Sequence, residues 1–210
     1  MTLADIRRDY QGEPLDEARS ETDPFAQFAL WFQQARELEP DPTAMALATA
    51  TRDGRPSVRT VLLKGVEGGG FVFYTNYHSR KARELEQTHR ASLLFLWRSL
   101  ERQVRIEGAV ERVTDAESDA YFATRPLESR WSVYASRQSE RIESREALES
   151  RFNVARQIYG DAVPRPHWWG GYRVIPDEFE FWQGRVSRLH DRLQYRKQQD
   201  GSWARERLAP

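Results

Sequence analysis

The segment SVRTVLLKGVEGGGFVFYT, residues 57–75, contains two runs of strand-forming residues on either side of a glycine cluster. Residues 57–64 and 71–75 are rich in Val, Leu, Phe and Thr, side chains that suit the half-buried surface of a sheet. The glycines at 68–70 permit the backbone conformations of a tight turn. The segment therefore predicts two antiparallel strands joined by a turn.

Similar strand-forming runs occur on both sides of this segment. Residues 44–51 are apolar and threonine-rich, and Asp53-Gly54 after them is typical of a turn. Longer strands are predicted at 91–97 and 102–113. Shorter strands are predicted towards the C-terminus at 171–175, 178–183, 191–197 and 202–208.

Helices are predicted between and around these strands. Asp23-Pro24 combines an N-cap residue with proline at the first helical position, and Pro40 ends that helix. Ser79 begins a helix to about residue 87, and a capping box at Thr114 begins one to about residue 124. A long polar helix is predicted over residues 144–159.

This order of elements predicts a mainly β protein, a compact antiparallel barrel with peripheral helices. The sequence lacks a regular β-α alternation, and no predicted strand is followed by a dinucleotide-binding or P-loop glycine motif. Residues 1–22 are polar and predict a mobile N-terminal arm, whereas residues 23–210 predict a single domain.

Composition limits the chemistry that the chain can perform. Lys plus Arg and Asp plus Glu both total 32, so no general basic field favours nucleic acid as a partner. The absence of cysteine excludes disulfides, zinc thiolates and cysteine nucleophiles. The four histidines lack the spacing of metal ligands, so no metal is predicted. No apolar run approaches the ~18 residues of a membrane span, and a cytoplasmic protein is expected.

Cations stand at both ends of the strand RTVLLK, residues 59–64. Arg59 and Lys64 are five residues apart, so a regular strand would direct them to opposite faces and to different groups. An anionic ligand held beside the strand would account for both charges. An edge strand whose charges reach solvent is the alternative, and both interpretations stay open at this level.

The segment FYTNYHSRKA, residues 73–82, leads from a strand into the helix that begins at Ser79. Free backbone amides at a helix N-terminus attract anions, phosphate in particular. Arg80 and Lys81 are unfavourable for the helix itself at this position, and a bound anion would neutralise them. Two solvated charges on a surface turn are the alternative.

A third group of polar side chains occurs at the end of the helix over 114–124. Tyr121 and Arg125 are four residues apart, so they share a helix face, and Ser129 follows closely. Their guanidinium and hydroxyls could bind a phosphomonoester, although a surface cation–aromatic pair is the alternative. The amide of Gln103 is only a weak signal of ring binding.

The stretch RLHDR, residues 188–192, concentrates four titratable side chains in five residues. In a strand, Arg188, His190 and Arg192 would lie on one side and Asp191 on the other. The pattern favours a binding site formed by Arg188, His190 and Arg192, and a structural role for Asp191. An exposed charged strand is the alternative.

Five blocks in order resemble the pyridoxine/pyridoxamine 5′-phosphate oxidase family: residues 59–64, 73–82, 100–104 (LERQV), 179–184 and 188–192. With the two ends of the chain, the resemblance covers nearly the whole sequence. It implies a split β-barrel of antiparallel, Greek-key type, assembled as a homodimer with FMN at the subunit interface. It also implies an oxidase that converts pyridoxine 5′-phosphate and pyridoxamine 5′-phosphate to pyridoxal 5′-phosphate, with O2 as acceptor and H2O2 as by-product.

The resemblance further implies roles for individual residues. Contacts with FMN fall to Arg59, Thr60, Val61, Leu62, Leu63, Lys64, Tyr74, Thr75, Arg80, Lys81, Gln103, Gln138, Ser139, Trp182 and Arg192. Contacts with substrate fall to Arg7, Tyr10, Lys64, Tyr121, Arg125, Ser129, Arg188 and His190. Arg188 and His190 are the predicted catalytic residues, because they would hold the pyridine ring against the flavin, and Arg7 and Tyr10 would close as a lid. A related flavoprotein with another substrate and a non-enzymatic binder of flavin or pyridoxal phosphate are the alternatives.

Overall fold

The computed structural model describes residues 2, 5 and 9–210, so the predicted substrate-binding residue Arg7 lies outside the described residues. Within this part of the chain, nine strands form one antiparallel sheet: β1 (Ala44–Ala50), β2 (Pro56–Leu62), β3 (Gly65–Glu67), β4 (Gly70–Asn76), β5 (Arg90–Trp97), β6 (Arg102–Arg112), β7 (Trp169–Gln183), β8 (Asp191–Lys197) and β9 (Trp203–Arg207). Five α-helices of the same residues accompany it: α1 (Pro24–Leu38), α2 (Arg80–Thr88), α3 (Asp115–Thr124), α4 (Leu127–Ala135) and α5 (Arg145–Tyr159). The prediction of a mainly β fold with peripheral helices is confirmed.

The long strand β7 is the centre of the sheet. Along one edge it pairs with β6 over nearly its whole length. Along the other edge its first half pairs with β4 and its second half pairs with β8. The path β2-β1-β5-β6-β7-β4-β3 therefore divides at β7, where β8 and β9 branch off. The result is a curled, antiparallel split β-barrel.

The prediction of two separate strands at 171–175 and 178–183 is wrong, because β7 runs through both ranges. Pro176 lies between the two ranges, and proline cannot donate a hydrogen bond to a sheet ladder. The strand instead absorbs one extra residue beside Pro176 in a β-bulge opposite Gly108. A Cβ atom at position 108 would lie 2.0 Å from the Ile175 carbonyl oxygen, so this close backbone approach requires glycine.

Helix α4 and the short strand β3 were not predicted from the sequence. Helix α4 begins after Pro126, which occupies the N-cap position without a side-chain cap bond. Trp131 and Val133 of this helix join a second, smaller core with Phe122 of α3 and Trp169 of β7. The helix therefore depends on tertiary packing, which a local sequence signal does not reveal.

Helix α1 packs against the main core of the sheet. Asp23 caps the helix by accepting a backbone hydrogen bond from its first turn, as predicted. Phe28, Trp31 and Ala35 are buried on one face, and Phe28 meets Phe71 of β4 edge-to-face at 4.9 Å. Burial of each large apolar side chain contributes roughly 1.5–3 kcal/mol to the free energy of folding, and this burial stabilises the helix against the sheet.

The alternation predicted for residues 188–192 is wrong. A 3-10 turn covers Val186–Arg188, in which Ser187 and Arg188 have φ values of 56° and 60°, and β8 begins only at Asp191. Arg188, His190 and Arg192 therefore do not lie along one strand. Left-handed φ values are uncommon for residues other than glycine, so the sequence pattern did not indicate this turn.

The N-terminal arm contacts the last strands of the sheet. Asp191 accepts hydrogen bonds from the Leu15 N–H at 3.2 Å and from the Arg207 side chain at 2.8 Å, a structural role. The division into a mobile arm over 1–22 and one domain over 23–210 stays a prediction, as does the cytoplasmic location. Among the described residues, the structure contains no helix with the length and apolar character of a membrane span.

Candidate functional site

One cavity of about 990 Å³ brings together most of the predicted site residues. Its walls come from β2, β4, the start of α2, the helices α3 and α4, and the connector after α4. The predicted residues that line it are Arg59, Thr60, Val61, Leu62, Lys64, Tyr74, Thr75, Arg80, Lys81, Tyr121, Arg125, Ser129, Gln138 and Ser139. Residues expected to bind cofactor and residues expected to bind substrate therefore share one space.

Arg59 and Lys64 both line this cavity, so the prediction that they face opposite sides is wrong. Strand β2 ends at Leu62, and the Lys64 N–H donates to the carbonyl of Val72 on β4 at 2.8 Å. Because the chain leaves β2 before Lys64, strand alternation does not extend from one cation to the other.

Lys81 is a buried cation in the cavity wall. Its ammonium donates to Thr75 Oγ1 at 3.1 Å, to Gln138 Oε1 at 3.2 Å and to Ser79 Oγ at 3.4 Å. Burial, and after it the positive charge of Arg59, lowers the pKa of Lys81 to about 8. These oxygens are all neutral, so no described residue compensates the charge, which favours an anionic ligand.

The N-terminus of α2 faces the connector that follows α4. Ser79 caps the helix by accepting a hydrogen bond from the Ala82 N–H, and the Arg80 N–H donates to Ser139 Oγ at 3.1 Å. One turn further along, Arg80 Nε binds Glu84 at 2.8 Å. The helix start and its two basic side chains make this part of the cavity electropositive.

A second part of the cavity wall is built from stacked rings and one guanidinium. Tyr74 and Tyr121 stack with centroids 3.9 Å apart and planes 14° from parallel, and the Arg125 guanidinium lies 4.6 Å from the centre of the Trp169 ring. Arg125 Nη1 is buried and has no hydrogen-bond partner among the described residues. Burial lowers the pKa of Arg125 and raises that of Tyr121, so an anion here would stabilise the charged guanidinium.

Seven predicted residues of the described chain do not line the cavity: Tyr10, Leu63, Gln103, Trp182, Arg188, His190 and Arg192. Trp182 pairs directly with Gln103 on β6 and with Arg192 on β8, which places the three on one face of the sheet. The rings of Tyr10 and His190 lie 5.7 and 4.6 Å from the Trp182 ring. These residues, apart from Leu63, form a second group near the end of β7.

Local contacts hold the polar members of the second group. His190 Nδ1 accepts the Arg185 N–H at 3.1 Å, and burial, followed by the charge of Arg188, lowers the pKa of His190. Arg192 binds both oxygens of Glu180, at 2.8 and 3.1 Å. The Arg188 side chain is exposed. When the imidazole of His190 is neutral and its Nδ1 accepts this hydrogen bond from Arg185, its proton is on Nε2. Nε2 is then the atom available to a ligand.

The sequence matches two family models in succession. Residues 32–159 match the model described as pyridoxamine 5′-phosphate oxidase. The chain belongs to this family. Residues 169–210 match the C-terminal dimerisation region of pyridoxine 5′-phosphate oxidase, which contains β7, β8 and β9. The resemblance found in the five sequence blocks is thereby confirmed, and the dimerisation region supports a homodimer.

Full-length relatives carry the name of the same family. The chain is 56% identical over 209 residues to a pyridoxine/pyridoxamine 5′-phosphate oxidase of Thermosynechococcus vestitus, and 99% of each chain is covered. It is 55% identical over 212 residues to the protein of that name from Burkholderia lata, covering 100% of this chain and 99% of the relative.

Two solved structures are similar to this oxidase-family chain. PhzG from Burkholderia lata, in complex with tetrahydrophenazine-1-carboxylic acid, has a TM-score of 0.89 and 33% identity, with 95% of this chain and 100% of that chain covered. A pyridoxamine 5′-phosphate oxidase-related, FMN-binding protein from Nostoc punctiforme has a TM-score of 0.72 and 19% identity, with 94% and 100% covered. The second likeness supports the fold alone.

Members of the pyridoxamine 5′-phosphate oxidase family bind FMN, and the cavity fits that cofactor. Among the described residues, three cavity cations, Arg59, Arg80 and Lys81, have only one carboxylate, Glu84, within salt-bridge distance. The excess of positive charge suits a phosphate monoester, which carries about −1.5 to −2 at neutral pH. No group of three or more His, Asp or Glu in the described part of the chain could hold a metal ion.

Several residues of the candidate site were not predicted from the sequence. The unpredicted cavity residues are Ser57, Val58, Asn76, Thr124, Pro126, Ser132, Val133, Ser136 and Trp169. Two of them, Ser132 and Val133, belong to α4, which was itself not predicted. Glu84 was also missed, although an acidic residue four positions after Arg80 on a helix indicates an ion pair. Leu63 is packed into the core, which leaves only its backbone for the predicted cofactor contact.

Proposed function

We propose that this chain is an FMN-dependent oxidase that converts pyridoxine 5′-phosphate and pyridoxamine 5′-phosphate to pyridoxal 5′-phosphate. The observation that carries the proposal is the buried Nη1 of Arg125, which has no partner in the described part of the chain and lies in the cavity that also holds Arg59, Arg80 and Lys81. One cavity thus offers two groups of anion-binding side chains. Cofactor and substrate each bring a phosphate, so the reaction needs two such groups.

Within this proposal, each part of the cavity has a separate task. The phosphate of FMN binds at the start of α2, to Arg59, Arg80, Lys81 and Ser139, while Thr60, Val61, Leu62, Tyr74, Thr75 and Gln138 contact the rest of the cofactor. The substrate phosphate binds to Lys64, Tyr121, Arg125 and Ser129. Binding energy from this remote phosphate orients the reacting C4′ atom.

The overall reaction balances without any further reductant. Bound FMN supplies the two-electron acceptor chemistry, and O2 is the final acceptor. Pyridoxine 5′-phosphate and O2 give the aldehyde and H2O2. Pyridoxamine 5′-phosphate in addition consumes one water and releases ammonia. The chain contributes binding, orientation and charge.

The second group of residues completes the site from the other subunit. Trp182, His190 and Arg192 lie outside the cavity of their own chain but inside the region that matches a dimerisation model. In the proposed dimer, Arg188 and His190 hold the pyridine ring, and Gln103, Trp182 and Arg192 contact the flavin. Arg7 and Tyr10 close over the site as a lid.

The purified protein tests this proposal directly. We expect a yellow flavin spectrum that bleaches when pyridoxamine 5′-phosphate is added without oxygen. Air should restore the colour and give one H2O2 for each aldehyde. Pyridoxamine without phosphate should react about 10- to 100-fold less efficiently, because it forfeits the charge-assisted bonds to Arg125. A colourless protein that stays inert with added FMN would contradict the proposal.

Two other outcomes would assign a different function. Oxidation of a tetrahydrophenazine carboxylate, the class of compound bound by the Burkholderia lata PhzG, without oxidation of phosphorylated pyridines would identify a related flavoprotein with another substrate. A yellow protein that neither substrate bleaches would identify a non-enzymatic flavin binder.

A further inference from the structure

We propose that Glu84 is a positioning residue that prearranges Arg59 and Arg80 for the phosphate of the cofactor. Glu84 does not line the cavity; it lies on α2 behind the cavity wall and is 2% exposed. The inference rests on the proposed placement of the FMN phosphate at the start of α2, and it adds the residue that fixes two of its cationic partners.

Both carboxylate oxygens of Glu84 are occupied. Oε1 accepts a hydrogen bond from Arg80 Nε at 2.8 Å. Oε2 lies 3.3 Å from Arg59 Nη2 and accepts the hydroxyls of Thr49 and Ser57, at 2.5 Å each. A single carboxylate therefore joins β1, β2 and α2 at one point behind the cavity.

The two hydroxyls complete the network from the side of Arg59. Arg59 Nη1 donates to Thr49 Oγ1 at 2.5 Å and to the Leu47 carbonyl at 3.1 Å, and Nη2 donates to Ser57 Oγ. Each hydroxyl thus accepts from Arg59 and donates to Glu84. This double use fixes the plane of the guanidinium before any ligand binds, because both of its terminal nitrogens are committed. The Nε–H and the positive charge of Arg59 are what it then offers to the phosphate.

The carboxylate is charged under all ordinary conditions. Burial by itself would raise the pKa of Glu84, but hydrogen bonds from Ser57, Thr49 and Arg80, with the charge of Arg80, lower it to about 2. Three positive charges, on Arg59, Arg80 and Lys81, and this one negative charge leave a net charge of about +2, which matches a phosphate monoester.

Removal of Glu84 would affect its two arginines differently. Arg59 is mostly buried and keeps its bonds to β1 and β2, whereas the Arg80 side chain is 49% exposed and can turn into solvent. Without the carboxylate between them, the two guanidiniums also repel each other. A phosphate would then have to bring Arg80 back and order it, which weakens binding. Riboflavin, which has no phosphate, would not be affected.

The test compares the affinities of the apoprotein for FMN and for riboflavin, measured by quenching of flavin fluorescence. In Glu84→Ala we expect the FMN-to-riboflavin affinity ratio to fall about tenfold, the effect of weakening one charge-assisted hydrogen bond. Glu84→Gln keeps one acceptor oxygen for Arg80 and should recover part of the ratio. Glu84→Asp keeps the charge but cannot reach both arginines, so it should also lower the ratio.

Glu86→Ala is the matched control. Glu86 lies on the same helix and binds Arg112 at 2.8 Å, but neither residue lines the cavity, so the ratio should stay at the wild-type value. If Glu84→Ala does not fold, Glu84→Gln and Glu84→Asp carry the test.

Three results would overturn the inference. An unchanged or higher FMN affinity in Glu84→Ala would mean that its negative charge opposes the phosphate more than its geometry helps. An unchanged ratio in Glu84→Asp would mean that charge alone is needed. An equal loss for both flavins would indicate a general structural role. Arg80→Ala separates the two proposals: an unchanged ratio there contradicts the phosphate site itself, whereas a loss there without a loss in Glu84→Ala contradicts only the role of Glu84.

Discussion

The ammonium of Lys81 donates a hydrogen bond of 3.1 Å to Thr75 Oγ1, and no carboxylate lies within salt-bridge distance of this lysine among the described residues. Strand β4 provides the acceptor and helix α2 provides the donor, so the contact fixes the start of the helix against the sheet. Burial and then the charge of Arg59 lower the pKa of Lys81 to about 8. Its charge is therefore available to an anionic ligand.

We expect the affinity for FMN to fall as the pH rises through about 8, the pKa of Lys81. Below this pH the ammonium is charged and attracts the phosphate, whereas above it the lysine must first take up a proton. Linkage predicts that the Kd rises by up to about tenfold for each pH unit until the pKa of the complex is reached. Titration of the apoprotein with FMN between about pH 7 and 9 measures the effect, and riboflavin is the phosphate-free control. A Kd for FMN that follows the Kd for riboflavin at every pH would remove Lys81 from the phosphate site.

Arg125→Lys should raise the KM for pyridoxamine 5′-phosphate about 10- to 100-fold. Lysine keeps the charge but cannot reproduce the planar guanidinium that lies over Trp169 and whose Nη1 has no hydrogen-bond partner within residues 2, 5 and 9–210. The kcat should change less, because most of the phosphate contact is already made in the ground-state complex and only the part that orients C4′ affects the chemical step. Steady-state kinetics measure both constants, with unphosphorylated pyridoxamine as the control substrate. Equal losses on the two substrates would show that Arg125 does not contact the phosphate.

Mixing two inactive variants tests whether the site is shared between subunits. Arg188→Ala should retain FMN but lose turnover, and Arg125→Ala should lose substrate binding. In a mixed dimer with two-fold symmetry, one site combines both defects and the other is intact. Refolding an equal mixture should therefore restore about a quarter of the wild-type activity, since half of the dimers are mixed. No recovery, with mixed dimers demonstrated by a tag, would place Arg188 and Arg125 in the same subunit's site.

Gly108→Ala should lower the free energy of unfolding by about 1–3 kcal/mol or more, the usual cost of overpacking. The new Cβ would lie 2.0 Å from the Ile175 carbonyl oxygen, and a backbone atom cannot move away as a flexible side chain can. Denaturant unfolding measures the loss. Ala109→Ser, at the exposed neighbouring position, is the control and should have little effect. Wild-type stability of Gly108→Ala would mean that the bulge can relax.

Sequence signals such as helix caps predicted the elements that are stabilised by neighbouring residues. The cap at Asp23 and the capping box of Thr114 with Glu117 each begin a helix where the sequence placed one. The break predicted between residues 175 and 178 was wrong, because the effect of Pro176 depends on the partner strand, where Gly108 permits a bulge. Helix α4 was not predicted because the burial of Trp131, rather than a side-chain cap, stabilises it.

In the candidate site, too, features with a local cause could be predicted from the sequence and features that depend on distant contacts could not. Residue type and short spacing indicated anion-binding side chains at Arg80, Lys81 and Arg125, and all three line one cavity. The spacing could not show that Arg59 and Lys64 share that cavity, because the relevant bend follows the end of β2. For Glu84, the spacing from Arg80 could indicate one ion pair, but its other partners, on β1 and β2, are 25 to 35 residues away in the sequence.

By itself, the sequence determined the mainly β fold, the family and the residue types that can bind phosphate, because patterning, caps and ordered motifs are written in neighbouring residues. Only the tertiary structure decided which of these residues meet. It placed Arg188 in a left-handed turn outside the cavity of its own chain and put a buried carboxylate behind two arginines. Such relationships depend on where the backbone bends and which distant segments pack together, and local side-chain chemistry does not specify either.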